Sequence, residues 1–223
     1  AVAAVALLVV AALYFPKSGA DEGRARTSLR ETWEHLLADF KQVLKSGRLM
    51  ALVLISAGFW IIQGQLYSSM PKYVLRLVGS DASPEWYANI NPVVVMLTVV
   101  PITYLARKLP PIASISIAMA MIPVSAAVVA VLPPLLGPMA LPTWLRFGPF
   151  AHGNGFLHPV TVAMATGIAI QGLSECFLSP RYLEYASRLA PEGKEALYLG
   201  YSHLNNFFSW LIGYILSGYL MDA

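Results

Sequence analysis

The sequence predicts an all-α fold, a polytopic bundle of transmembrane helices, and three observations carry that prediction. Of its 223 residues 57% are apolar and only 12% are charged, with a mean hydropathy of +0.61. That charge content is about half the ~25% of a soluble domain and argues against a water-soluble enzyme. The apolar residues form long blocks rather than amphipathic patterns, and five blocks reach the ~20 residues needed to cross ~30 Å of hydrocarbon. The lysines and arginines lie between the blocks and mostly on one side of the expected membrane.

The opening block, Ala1 to Tyr14, is apolar throughout, yet its length covers only about 21 Å at 1.5 Å per residue. It reads as the tail of a truncated span. A signal peptide is the alternative, against which stand the missing initiator Met and basic leader. Residues 15–48 form a cytoplasmic linker with its own helix. Ser28 and Glu31 make a capping box, and Leu29, Trp33, Leu37, Phe40 and Leu44 recur at helical spacing opposite Arg30, Glu34, Lys41 and Lys45. Such a helix lies along the bilayer surface or serves as a packed connector.

The bundle proper runs over 49–223, with complete spans at about 50–72, 88–106, 111–132, 158–180 and 197–220. If the linker is cytoplasmic and the chain alternates sides, the cytoplasmic segments hold Lys17, Arg24, Arg26, Arg30, Lys41, Lys45 and Arg48, then Arg107 and Lys108, then Arg181, Arg188 and Lys194. Only Lys72, Arg76 and Arg146, three of the 15 basic residues, fall outside. The same asymmetry explains the net charge of +3 without a nucleic-acid partner. Between 133 and 155 the Pro- and Gly-rich run cannot be a span and reads as an exoplasmic loop, re-entrant if its leucines, Trp144 and Phe147 dip into the interface.

An ionisable residue inside a span is costly and marks either a functional cavity or an interhelix hydrogen bond. Glu175 is the one acid well inside a span, and Gln171 and Ser179 share its helical face at four residues on either side. A carboxylate in hydrocarbon needs a proton or a cation, so Glu175 is at once a candidate amine receptor and a candidate proton carrier. On the last span His203, Asn206 and Trp210 share another face. The first complete span carries Trp60, Gln63, Gln65, Tyr67, Ser68 and Ser69, too polar a set to face lipid, and the second carries Asn89, Asn91, Pro92 and Pro101, which predict a kink. A water-lined pathway between helices would use all of them. No HExxH, CxxC, GxSxG or Walker loop occurs, and His35, His152, His158 and His203 are not spaced as zinc ligands, so no metal, cofactor or catalytic residue is expected. Cys176, the single cysteine, reads as packing.

These residues resemble a known family, the proton-dependent oligopeptide transporters of the major facilitator superfamily. FWIIQGQLYSS at 59–69 is similar to the family's seventh-helix FWxxxEQxxSS, and Asn91 and Pro92 with Pro101 are similar to its eighth helix. ECFLSPRYLEYASRLAP at 175–191 resembles the tenth-helix pattern GExxxSPxGLExxxxxAP at matching spacing. The resemblance implies the C-terminal half of a twelve-helix carrier: a partial sixth helix, helices seven to eleven, the twelfth absent, and a missing N-terminal half of the same transporter as partner. It further implies that Glu175 receives the peptide amino terminus and carries the coupling proton, that Ser179 and Asn91 shape the pocket, and that Trp60 lines it. Short peptides, protons and the lipid bilayer of an inner or plasma membrane would be the partners. Gln65, Tyr67, His203 and Asn206 complete the candidate binding set. Three departures stand out: the seventh-helix acid is Gly64, the two tenth-helix glycines are Ser174 and Tyr182, and the usual eleventh-helix Trp falls at Ser202. Gly64 has a packing reading as well, as a small residue permitting close helix approach. Transport of another small solute, such as an amine, sugar acid or drug, and an uncoupled receptor or scaffold are the alternatives.

Overall fold

Long apolar blocks, broken by prolines that sit at helix starts, produce a chain of helices in the computed structural model, which describes residues 29–80, 82–136, 139–140 and 156–222. The helices are α1 (Leu29–Lys45), α2 (Gly47–Ser68), α3 (Met70–Leu77), α4 (Pro84–Ala106), α5 (Pro111–Leu135), α6 (Pro159–Arg188), α7 (Glu195–Ser202) and α8 (Leu204–Asp222). A two-residue antiparallel pair, Met139–Ala140 with Phe156–Leu157, lies between α5 and α6. The N-terminal stretch 1–14, Ser28 of the capping box and most of the proposed re-entrant loop lie outside the described residues.

α1 belongs to two compact units that divide at Gln42 and Val43. Within it Trp33, Leu37, Phe40 and Leu44 are exposed, while Val43 is buried. Among the described residues four helices, α2, α4, α5 and α6, are long and apolar enough to cross a membrane. Pro84, Pro111 and Pro159 each stand in the first turn, where a missing N–H costs nothing. His158 caps α6, its Nδ1 accepting from the Val160 N–H at 3.3 Å. The long helices also continue through interior prolines: Pro92 and Pro101 in α4, Pro123, Pro133 and Pro134 in α5, and Pro180 in α6. Pro180 removes the N–H that would reach the Cys176 carbonyl, and in the same turn Ser114 Oγ of α5 donates to the Phe177 carbonyl at 2.9 Å.

Two expected spans differ in the structure. The 50–72 span ends at Ser68, because Pro71 cannot continue the ladder and the Ser68 and Ser69 hydroxyls turn back onto Gln65 Oε1. The 197–220 span is two helices that meet at His203. There the Ser202 carbonyl accepts the Tyr182 hydroxyl at 2.6 Å, and the Asn206 N–H bonds to the His203 carbonyl and Asn205 Oδ1 instead. α6 also runs past the expected end to Arg188, so Arg181, expected in a cytoplasmic connection, is a helical residue only 8% exposed.

α6 is the central element, packed on α5 and α4, while α2 packs chiefly on α8. Close approach is made by small residues: a Cβ on Gly167 would stand 2.5 Å from Val129 Cγ2 and 3.3 Å from the Ser125 carbonyl oxygen. Two apolar clusters fill the bundle. One gathers Leu49, Phe59, Ile122, Leu178, Tyr182 and Tyr198, the other Leu66, Val74, Tyr87, Met164 and Ile168. Along α6 the second ends at Ile168 and the first begins at Leu178. The residues between them are where polar groups collect.

Candidate functional site

Glu175 lies in that intervening stretch of α6. Its Oε2 accepts from Gln63 Nε2 of α2 and from Asn91 Nδ2 of α4, each at 3.2 Å. Three helices therefore converge on one carboxyl oxygen. Both amides are deeply buried, Gln63 at 3% and Asn91 at 6% exposure, and among the described residues Glu175 has no ion-pair partner. Neutral donors orient the carboxylate without neutralising it, so a cationic ligand or a proton is what completes the charge balance.

Asn91 reaches Glu175 because α4 and α6 touch at Gly172. A Cβ there would stand 2.9 Å from Asn91 Oδ1 and 3.2 Å from Val94. Among the described residues three buried acceptors around this layer have no hydrogen-bond donor: Gln63 Oε1, Asn91 Oδ1 and Gln171 Oε1. Unpaired buried carbonyls are uncommon and call for an explanation.

One turn along α6 from Glu175, Ser179 opens onto a cleft of about 100 Å³. Trp60, Tyr182, His203 and Asn206 line it with Ser179, together with Asn205. The break between α7 and α8 puts His203 and Asn206 at this cleft while Trp210 lines a neighbouring narrow crevice of about 10 Å³ with Trp60, Gly64 and Gln65. The face expected to carry His203, Asn206 and Trp210 together is thus divided between two hollows. No Lys, Arg, Asp or Glu lines either one.

Of the candidate residues, Glu175 and Asn91 are bonded to each other, and Trp60, Ser179, His203 and Asn206 share the cleft. Gln65 ties α2 to α8, its Nε2 donating to the Gly213 carbonyl at 3.2 Å. Tyr67 stands apart, 53% exposed and in neither hollow. Among the described residues a Cβ on Gly64 would meet nothing within 4 Å, so none of them makes the close approach that its packing reading expects. Gln63 is the residue that sequence reasoning passed over in choosing its site. It belonged to the polar set of the first span, but pattern matching drew attention to its neighbours at 64 and 65. Gly172 gave no signal, because a glycine's packing role depends on what faces it.

The fold and this half-buried acid define a multi-pass helical membrane protein with an ionisable group among its helices. Residues 22–222 match the family model of the POT family, and the chain belongs to that family, whose members transport peptides with protons. No curated protein and no solved structure matches the chain.

Proposed function

We propose that the protein carries di- and tripeptides across an inner or plasma membrane together with protons, by alternating access around the Glu175 layer. The observation that carries this reading is a carboxylate held by two neutral amides between two apolar clusters, with no cationic partner among the described residues. The peptide ammonium docks at Glu175, and the adjacent cleft, with Trp60, Ser179, His203 and Asn206, takes the remainder of the peptide. When no peptide is bound, a proton on Glu175 removes the uncompensated charge and lets the empty carrier return. No bond is made or broken in the cargo.

Gly64 supports a second reading. The family's seventh-helix acid is absent there, which would remove one proton switch and leave a carrier that equilibrates peptide along its own gradient. Uptake of a labelled dipeptide into proteoliposomes under an imposed pH gradient separates the two. Accumulation that collapses with a protonophore supports coupled transport, equilibration indifferent to pH supports the second, and no saturable uptake rejects both.

A further inference from the structure

The cleft beside Ser179 collects polar side chains that the packing leaves uncommitted. Ser179 Oγ, the His203 imidazole and the Asn206 carboxamide all line it, and among the described residues none of the three has a hydrogen-bond or ion-pair partner. The other polar groups there are spent: the Tyr182 hydroxyl donates to the Ser202 carbonyl at 2.6 Å, and Asn205 Oδ1 accepts the Asn206 N–H at 2.7 Å. That Tyr182 bond meets the end of α7 at Ser202, which is fully buried, and the next residue, His203, stands exposed at the helix break. At about 100 Å³ the cleft has room for a few heavy atoms, one side chain rather than a whole residue, beside the ~150 Å³ that holds a benzene ring.

Around His203, α2 contributes Trp60, α6 Ser179 and Tyr182, and α8 Asn205 and Asn206, while α7 adds no residue to the lining, so no charged group faces His203 in the cleft. The carboxylates of α6 are engaged elsewhere, Glu175 with Gln63 and Asn91, and Glu184 with Arg181 and Arg188. Imidazole is the side-chain group that gains a proton between pH 8 and pH 5, and once protonated both of its nitrogens donate. We infer that the cleft is a subsite for an anionic side chain of the cargo, and that His203 is the specificity residue that admits it as pH falls. The inference rests on the reading of the protein as a peptide carrier and adds which peptides it favours and when. An imidazolium, a hydroxyl and an amide offer a carboxylate one charge-assisted and two neutral hydrogen bonds, and no acid in the lining repels it. A carboxamide side chain of the same shape has no charge for the imidazolium to meet.

The test sets two competitors of one shape, Ala-Glu and Ala-Gln, against counterflow of labelled Ala-Ala by the intact protein in proteoliposomes held at equal pH inside and out. Both carry the same ammonium and terminal carboxylate, so whatever pH does to the common peptide frame cancels in their ratio. In the parent, the preference for Ala-Glu over Ala-Gln is expected to rise about fivefold from pH 7.5 to pH 5.5, where the cargo carboxylate is still largely ionised. His203→Gln, which keeps a hydrogen-bonding group without a titratable charge, should remove the rise. His203→Lys, charged at both values, should hold the preference high throughout. A preference that does not move with pH in the parent overturns the inference whatever the variants do. So does a rise of parental size in His203→Gln, which would place the responding group elsewhere. A parent with no saturable exchange of Ala-Ala instead overturns the underlying peptide reading, and this inference with it.

Discussion

Glu175 has only neutral partners among the described residues, and that sets the sign of its response to substitution. Glu175→Gln keeps shape and a hydrogen-bond acceptor but removes the charge that would meet a peptide ammonium. Losing one partner of a buried ion pair costs about 3 to 5 kcal/mol, roughly a hundredfold to a few thousandfold in affinity. Binding of free-amine dipeptides should therefore be nearly abolished, and equal affinity in variant and parent would exclude the assignment. The glycines supply a paired test of geometry. At Gly172 a methyl group would press on Asn91 Oδ1 and Val94, so Gly172→Ala should cost about 1 to 3 kcal/mol of stability and weaken dipeptide binding by displacing Asn91. At Gly64 the space is open, so Gly64→Ala should leave thermal stability unchanged or raise it by up to about 1 kcal/mol. Thermal unfolding in detergent reads both, and equal effects at the two positions would contradict the packing described.

Between elements, the clearest device is Arg181 near the end of α6. Its guanidinium donates to the Ala106 and Leu109 carbonyls at the C-terminal end of α4 and to Glu184, which also pairs with Arg188 at 2.6 Å. The last carbonyls of a helix lack intrahelical partners and carry its negative dipole end, so a buried cation there satisfies both needs. Arg181→Met should leave the Leu109 carbonyl unpaired, the Ala106 carbonyl keeping the Leu109 N–H at 3.0 Å, and cost about 1 to 3 kcal/mol. Arg181→Lys should restore only part of this, because an ammonium cannot reproduce the planar fork that spans several acceptors. Chemical or thermal unfolding of the two variants against the parent measures the difference, and a lysine variant as stable as the parent would show that charge alone is sufficient. The break between α7 and α8 is a second such device. Tyr182 takes the Ser202 carbonyl out of the helical ladder and so turns His203 and Asn206 toward the cleft.

Across the bundle, backbones come closest between α2 and α8 and between α6 and both α4 and α5, and the two apolar clusters join these groups through side chains. The Gln63 to Glu175 bond crosses between them. If Glu175 receives the cargo, binding there would act on the hydrogen bond that joins it to α2. If protons drive transport, dipeptide uptake by the intact protein should accelerate as external pH falls from about 7.5 to about 5.5, a range that spans ordinary histidine titration. Glu175→Gln should flatten that response. The membrane potential should add to the drive, at ~2.3 kcal/mol per charge per 100 mV. Uptake that ignores pH, potential and protonophore would leave facilitated diffusion as the mechanism.

The sequence by itself determined the helical membrane class, the approximate places of the long helices and the acid at their centre. Each of these is local: a span is set by the length of an apolar block against the thickness of the bilayer, and an acid within it is conspicuous wherever its neighbours lie. Its family resemblance, carried mostly by residues 175–191, was legible for the same reason, since the pattern lies within one helix. Only the tertiary structure decided what Glu175 touches. Gln63 and Asn91 are 112 and 84 residues away in sequence, and hydropathy cannot rank one pairing of apolar helices over another. In lipid, helices choose their neighbours by small-residue fit and interhelix hydrogen bonds rather than by hydrophobicity. That is why the open space at Gly64, the close contact at Gly172 and the break at His203 emerge only when the helices are assembled.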